Sequence, residues 1–130
     1  MEANHCPVAI VGMSCFFPKS TGLKAYWRLL LNGQDAIAEV PPTHWSRQDY
    51  YDPDPRRPDH VHCSRGGFLS PVSFDPSEFG IPPSTIEATD TSQLLALAAA
   101  RQAIEDAGLP FDRSRTSVVL GVTGTQELVI

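Results

Sequence analysis

The chain has 130 residues, 42% of them hydrophobic, and a formal net charge of −5 from 15 acidic and 10 basic residues. This length and composition predict one globular domain and argue against general disorder. The basic residues are scattered, which argues against nucleic acid as a partner. No apolar run approaches the roughly 20 residues that cross a bilayer, and no basic leader opens the chain, so we expect a cytoplasmic protein without a membrane partner.

The first predicted elements are a strand and an amphipathic helix. Residues 8–11 are β-branched and apolar without polar alternation, which predicts a short strand covered on both faces. Gly12 then allows a turn. A helix should follow the N-cap chemistry of residues 20–22 and end at residues 32–33. Apolar side chains recur in it at i, i+3, i+4, i+7 and i+8, namely Leu23, Tyr26, Trp27, Leu30 and Leu31.

The middle of the chain is predicted to be irregular. Residues 39–70 have no sustained periodicity and are rich in proline, aspartate and aromatic residues. We interpret them as a long surface loop pinned by Trp45, Tyr50 and Tyr51. Asp75, followed by proline, then predicts a single helical turn.

The second half predicts helices and another buried strand. One helix should start near residue 83 or 84, and a long one should run from residues 90–91 to Gly108. Residues 94–100 of this long helix carry no polar side chain, so this part of the helix needs packing partners on several sides. Residues 116–122 repeat the pattern of residues 8–14. Strands separated by helices imply a parallel sheet, and the missing flanking strands indicate a truncated domain.

The cysteines and histidines suggest two sites that we disfavour. Cys6, Cys15 and Cys63 are odd in number and widely spaced, which favours reduced thiols. Cys15 could be a nucleophile, but no histidine or basic residue accompanies it locally, so a small buried hydrophobe is the better interpretation. His60, His62 and Cys63 could hold a metal. A structural zinc site needs four ligands, and the remainder is missing at usable spacing, so we expect no metal and a partly exposed loop.

Several motifs occur together in an order that indicates a family. They are VAIVGMS at residues 8–14, FP at 17–18, YW at 26–27, YYDPDP at 50–55, RGGFL at 65–69, AIEDAG at 103–108 and SVVLG at 117–121. In this combination the chain resembles the N-terminal part of a beta-ketoacyl synthase (ketosynthase) domain of a type I polyketide synthase. The run TDTSQLLAL at residues 89–97 looks more like the ketosynthases of polyunsaturated fatty-acid synthases.

The resemblance implies a fold and an activity for the intact parent. The fold is an α/β, partial thiolase-like fold, with mainly parallel strands, covering helices and a long irregular loop, and residues 1–130 are one N-terminal fragment. The implied activity is decarboxylative Claisen condensation, an acyl transfer that joins acyl and malonyl thioesters in polyketide or fatty-acid biosynthesis. The implied substrates are phosphopantetheine thioesters of acyl carrier protein, and the implied partners are that carrier, other synthase domains and a second ketosynthase in a homodimer.

The resemblance also limits the site residues. The family's nucleophilic cysteine and two histidines correspond to positions beyond residue 130. We therefore expect no catalytic residue, no directly bound cofactor and no activity in the isolated chain. In relatives the loop after the last strand lies near the acyl pocket and the dimer interface, so Thr123, Gly124 and Thr125 are the candidate substrate-binding residues.

Two other interpretations remain open. The chain could be non-catalytic and associate with a complementing ketosynthase segment or synthase subunit through the uncovered faces of its long helix. It could also be a small α/β protein in which the Gly-Val-Thr-Gly-Thr run at residues 121–125 binds an anion through backbone amides. This run lacks the Lys-Ser/Thr pair of a P-loop, which weakens the nucleotide interpretation.

Overall fold

The computed structural model describes residues 7–123. They belong to two compact units, one built from residues 7–14 and 73–123 and the other from Cys15–Val72. The α-helices and strands are, in chain order, α1 (Leu23–Leu31), β1 (Ala38–Glu39), α2 (Arg47–Tyr50), β2 (Arg65–Gly66) and α3 (Thr91–Ala107). Short 3₁₀ helices occupy Pro76–Phe79, Pro83–Ala88 and Arg113–Arg115. None of the helices in this described part combines the length and apolar character needed to cross a bilayer.

Helix α1 is the amphipathic helix that the sequence predicts, but most of its apolar face is exposed. Leu29 is its buried residue, and Tyr26 stacks on Phe17 with ring centroids 4.1 Å apart. The Trp27 side chain is 61% exposed, and Leu31 is 67% exposed. The helix is therefore confirmed, whereas Trp27 and Leu31 of its apolar face are not packed within this unit.

The loop between residues 39 and 66 is closed by a two-stranded sheet. Strands β1 and β2 are antiparallel, with Ala38 opposite Gly66 and Glu39 opposite Arg65. The Val40 amide extends the closure by donating to the Ser64 carbonyl at 2.7 Å. The two ends of the predicted irregular segment thus meet.

Helix α3 begins and ends at the predicted residues, so both predicted ends are confirmed. The Asp90 carboxylate accepts a hydrogen bond from the Ser92 amide at 2.7 Å, which satisfies one free donor of the first turn. Gly108 ends the helix in the left-handed conformation, with φ of 58°. The turn at Pro76–Phe79 is capped in the same way, by Asp75.

Helix α3 is only partly covered, although its composition predicts packing partners on several sides. Ala98 is its one buried residue, while Leu97 and Ile104 are 38% and 44% exposed. The extended segment at residues 12–14 lies along the helix. There the Ser14 hydroxyl donates to the Ala99 carbonyl at 2.7 Å.

The predicted parallel pair is absent from residues 7–123. Residues 8–11 and 117–122 carry no strand assignment, and the sheet in the described part is the antiparallel β1–β2 pair. A strand becomes part of a ladder only when a neighbouring strand supplies donors and acceptors. Among the described residues, neither segment has such a neighbour. Gly12, where we predicted a turn, instead lies against helix α3.

Candidate functional site

The predicted substrate-binding residues lie at the limit of the described chain. Thr123 is exposed, whereas Gly124 and Thr125 lie outside the described residues. Gly121, two residues earlier, has open space around its α-carbon. The assignment of these three residues to an acyl pocket therefore stays a prediction.

The tip of the long loop is held together by its own backbone. The Asp52 amide donates to the Val61 carbonyl at 3.1 Å, and the Val61 amide donates to the Tyr50 carbonyl at 2.8 Å. The Tyr50 side chain is 49% exposed, so it is the backbone of this residue that pins the loop. The Tyr51 ring faces the Arg47 guanidinium, whose carbon stands 4.9 Å from the ring centroid.

Asp52 organises this tip through its carboxylate. The carboxylate accepts from the Asp54 amide at 2.8 Å and from the Arg57 guanidinium at 2.6 Å. Both donors favour the charged form, the backbone amide more strongly, and they hold the pKa of Asp52 below its ordinary value of 3.8. Asp54 is paired in turn with Arg56 through two bonds of 2.9 Å, which lower the pKa of Asp54. These charged groups stabilise the conformation of the loop tip.

The H-x-H-C cluster is engaged with backbone carbonyls. The Nδ1 atom of His60 donates to the Pro58 carbonyl at 2.8 Å, and that of His62 donates to the Asp52 carbonyl at 2.9 Å. The Cys63 thiol donates to a carbonyl two residues further on, at 3.3 Å. No group of three or more His, Cys, Asp or Glu side chains between residues 7 and 123 is placed to hold a metal ion.

The two cysteines of the described part differ in exposure. Cys15 is half-buried and Cys63 is exposed, and both are free thiols. No hydrogen bond from a described histidine, lysine or arginine reaches either sulfur. A neighbour of this kind is one of the usual ways in which a nucleophilic thiol is activated to its thiolate.

One charged cavity was not predicted from the sequence. It has a volume of about 230 Å³ and lies between the turn at Pro76–Phe79 and helix α3. Arg101 forms ion pairs with Glu78 and with Glu105, the latter at 2.8 Å, and its guanidinium carbon stands 5.9 Å from the Phe79 ring centroid. Glu105 is four residues along the helix and could have been found from that spacing, but the Glu78 pair depends on the tertiary fold. Both pairs are solvent-exposed, and the two carboxylates outweigh the single positive charge of Arg101.

Comparison with known proteins identifies the family. The sequence model of "Beta-ketoacyl synthase, N-terminal domain" matches residues 5–128. The chain belongs to the beta-ketoacyl synthase family. The resemblance inferred from the motifs is thereby confirmed.

The relatives of this ketosynthase chain are polyketide synthases. It is 39% identical over 129 residues to a phenolphthiocerol/phthiocerol polyketide synthase of Mycobacterium tuberculosis, and the match covers 95% of this chain and 7% of that protein. It is 41% identical over 127 residues to the phthioceranic/hydroxyphthioceranic acid synthase of Mycobacterium bovis, covering 94% of this chain and 6% of that protein. The chain thus spans less than a tenth of the length of these curated relatives. The likeness to polyunsaturated fatty-acid synthases stays a prediction.

Solved ketosynthases share the fold of this chain. The oxazolomycin ketosynthase domain of Streptomyces albus JA3453 superposes with a TM-score of 0.73 at 37% identity, over 76% of this chain and 18% of that one. The ketosynthase from module 6 of the bacillaene synthase of Bacillus subtilis 168 gives 0.67 at 36% identity, over 78% and 17%. These neighbours confirm the thiolase-like fold class for an N-terminal portion. Neither a stand-alone anion-binding protein nor a non-catalytic associating chain is favoured.

Proposed function

We propose that this chain is the N-terminal segment of a ketosynthase whose complete domain performs decarboxylative Claisen condensation in polyketide or fatty-acid synthesis. The observation that carries the proposal is the family match over residues 5–128, supported by 37% identity to a solved ketosynthase of the same fold. The substrates are acyl and malonyl thioesters on the phosphopantetheine arm of acyl carrier protein. The partners are that carrier, the other synthase domains and a second ketosynthase in a dimer, in the cytoplasm.

The chain contributes scaffold to this reaction and no catalytic group. Condensation needs a thiolate and hydrogen-bond donors aimed at the developing oxyanion. In the described part, the Nδ1 atoms of His60 and His62 donate to backbone carbonyls, and the Cys63 thiol donates to the Arg65 carbonyl. We therefore expect no activity from the isolated chain and propose that the reacting groups come from the rest of the domain.

The loop that follows residue 122 contributes to the substrate site. Thr123, Gly124 and Thr125 line the acyl pocket in the complete domain, where small side chains leave room for the acyl chain. The polyunsaturated fatty-acid type of ketosynthase is the subgroup that the run at residues 89–97 supports.

A hybrid enzyme tests the proposal. This chain replaces the homologous segment of the bacillaene module 6 ketosynthase, and single-turnover mass spectrometry follows acyl transfer from a carrier protein and condensation with malonyl. We expect condensation by the hybrid and none by the isolated chain. The matched controls are the unmodified neighbour and a hybrid whose nucleophilic cysteine is replaced by alanine. A folded hybrid that forms no acyl-enzyme, or condensation by the isolated chain, would contradict the proposal.

The same hybrid tests the pocket residues. Thr123→Val and Thr125→Val are expected to lower the rate of condensation relative to the hybrid, because they change the size and polarity of the pocket wall. Thr116→Val is the control, because the Thr116 hydroxyl donates a hydrogen bond to the Asp112 carbonyl at the end of a 3₁₀ helix. Equal rates for all three variants would remove the pocket assignment and leave the condensation proposal intact.

A further inference from the structure

The end of helix α1 brings together two residues that form a reactive pair. Asn32 directly follows the helix, and Gly33 comes next with φ of 58°, in the left-handed region that glycine favours. Both residues are exposed to solvent. Asparagine is a thermolabile residue, and in an Asn-Gly pair the glycine nitrogen can attack the asparagine side-chain amide because glycine has no side chain to hinder the approach. The pair that ends the helix is therefore also a candidate for chemical modification.

The closed helix end holds the two reacting groups apart. The ψ angle of Asn32 is 0°, which turns the Gly33 nitrogen away from the Asn32 side chain. That nitrogen donates to the Leu30 carbonyl at 3.1 Å, and the Gln34 amide donates to the Leu29 carbonyl at 3.1 Å. Closure of a five-membered succinimide ring needs a large rotation about ψ of Asn32, and this rotation breaks both hydrogen bonds. The reaction therefore requires the last turn of the helix to open.

Few contacts hold the last turn of helix α1 closed. Leu29 is the buried residue of the helix, whereas Leu30 and Leu31 are 49% and 67% exposed. The first turn contains no acidic residue, and Gly22 at the N-cap provides no side-chain hydrogen bond. Segments with few buried apolar contacts open at a free energy well below that of global unfolding. Helix α1 should thus open locally while other parts of the chain stay folded.

We propose that Asn32 is a site of spontaneous deamidation, gated by local opening of the last turn of helix α1. The Gly33 nitrogen forms a bond to Cγ of Asn32, the bond from Cγ to Nδ2 breaks, and ammonia leaves with the proton of the Gly33 amide. Water then opens the succinimide. Attack on the side-chain carbonyl gives aspartate, and attack on the backbone carbonyl gives isoaspartate. The reaction consumes one water molecule, releases one ammonia and needs no oxidant or cofactor.

Either product weakens the helix end further. A carboxylate at position 32 lies beside the last carbonyls of helix α1, where the macrodipole favours positive charge. Isoaspartate also adds one carbon to the main chain, so the hydrogen bonds of Gly33 and Gln34 are not restored in the same geometry. The chain continues from here to Asp35, whose carbonyl accepts from the Lys19 ammonium at 2.9 Å, and then to strand β1. Deamidation is therefore an irreversible change at the entry to the long loop.

Peptide mass spectrometry of the unmodified chain tests the inference. The chain is incubated at mildly alkaline pH in buffer and in urea, and the conversion of Asn32 to aspartate and isoaspartate is followed with time. Amide exchange of Gly33 and Gln34 gives the fraction of molecules with an open helix end. We expect slower conversion in buffer than in urea, and the ratio of the two rates should match the open fraction.

Three variants test whether helix α1 is the gate. Lys24→Gly lowers the helix propensity at an exposed position away from the reacting pair and should speed conversion of Asn32 by about fivefold. Lys24→Glu places an acid in the first turn, four residues before Arg28, and should slow conversion by about twofold. Gln102→Gly is the matched control on helix α3 and should leave the rate unchanged. Far-UV circular dichroism identifies any variant that fails to fold, and the comparison of buffer with urea needs no variant.

The outcomes decide the inference without using the condensation reaction. It is overturned if Asn32 stays intact in buffer while the urea sample converts, or if the two rates are equal. Equal acceleration by Lys24→Gly and Gln102→Gly would assign the opening to the whole chain and overturn the local gate. Conversion that matches the open fraction and responds only to changes at position 24 supports the inference. Failure of the hybrid ketosynthase to condense substrates would leave this result unchanged.

Discussion

Gly12 lies directly against Ala107 of helix α3. A β-carbon at position 12 would stand 2.8 Å from the backbone nitrogen of Ala107 and 2.9 Å from its β-carbon, and it would also overlap the Ala103 carbonyl. Real β-carbons are never so close to backbone atoms, so the extended segment reaches the helix only because position 12 has no side chain. This contact fixes where the predicted first strand leaves the helix.

Gly12→Val is therefore expected to destabilise the chain. The added side chain must push the segment away from the helix, which costs about 1–3 kcal/mol of unfolding free energy for an overpacked contact. Urea unfolding followed by circular dichroism measures the change. Gly121→Val is the matched control, because a β-carbon there meets nothing within 4 Å. Equal midpoints for both variants would show that the segment does not pack on helix α3 in solution.

The carboxylate network of the loop tip predicts a shifted titration. In the folded chain the pKa of Asp52 lies below 3.8 because the Asp54 amide and Arg57 stabilise its charged form. Such a group stabilises the fold above its unfolded pKa, and that contribution is lost as the pH falls through the lower, folded pKa. We therefore expect the stabilisation that Asp52 gives to the loop tip to be fully present above about pH 4 and to be lost progressively below it.

Arg57→Gln tests the cause of that shift. We expect the pKa of Asp52, followed by carboxyl-carbon NMR, to rise toward 3.8 without reaching it, because the Asp54 amide still donates. Arg113→Gln removes an exposed arginine of another segment and should leave the titration of Asp52 unchanged. An unaltered pKa in Arg57→Gln would mean that the ion pair at 2.6 Å is not formed in solution.

The N-cap of helix α3 offers a third test. Asp90→Ala removes the acceptor of the Ser92 amide, and we expect Tm to fall by about 3–6 °C, the usual consequence of losing a side-chain cap in a chain of this size. Asp90→Asn keeps a capping oxygen, so its Tm should fall much less. If the two variants have the same Tm, the stability of the helix does not depend on this cap.

The cysteines give a test of reactivity and role. Alkylation by N-ethylmaleimide, followed by peptide mass spectrometry, should modify Cys63 several-fold faster than Cys15, because Cys63 is exposed and Cys15 is half-buried. In the hybrid ketosynthase, Cys15→Ala and Cys63→Ala should each condense at rates within about twofold of the hybrid, as expected away from the reacting atoms. Loss of acyl-enzyme formation in Cys15→Ala but not in Cys63→Ala would support Cys15 as a nucleophile, which is the interpretation that we disfavour.

The features that follow from the sequence alone are those whose causes are local. Helix α3 begins and ends where predicted because Asp90 and Gly108 act on backbone groups within one turn. The turn capped by Asp75 obeys the same chemistry. The family was accessible too, since the order and spacing of several short motifs are preserved in the chain itself.

The tertiary structure decided the features that join distant residues. Three such contacts have no periodic pattern in the sequence, because each depends on how the tertiary fold brings distant segments together. They are the pairing of Glu39 with Arg65, the Glu78–Arg101 ion pair and the contact of Gly12 with helix α3. Residues 8–11 show the same division. Their apolar, β-branched sequence favours an extended conformation and burial, whereas pairing as a strand depends on a neighbour whose donors and acceptors only a tertiary fold can supply.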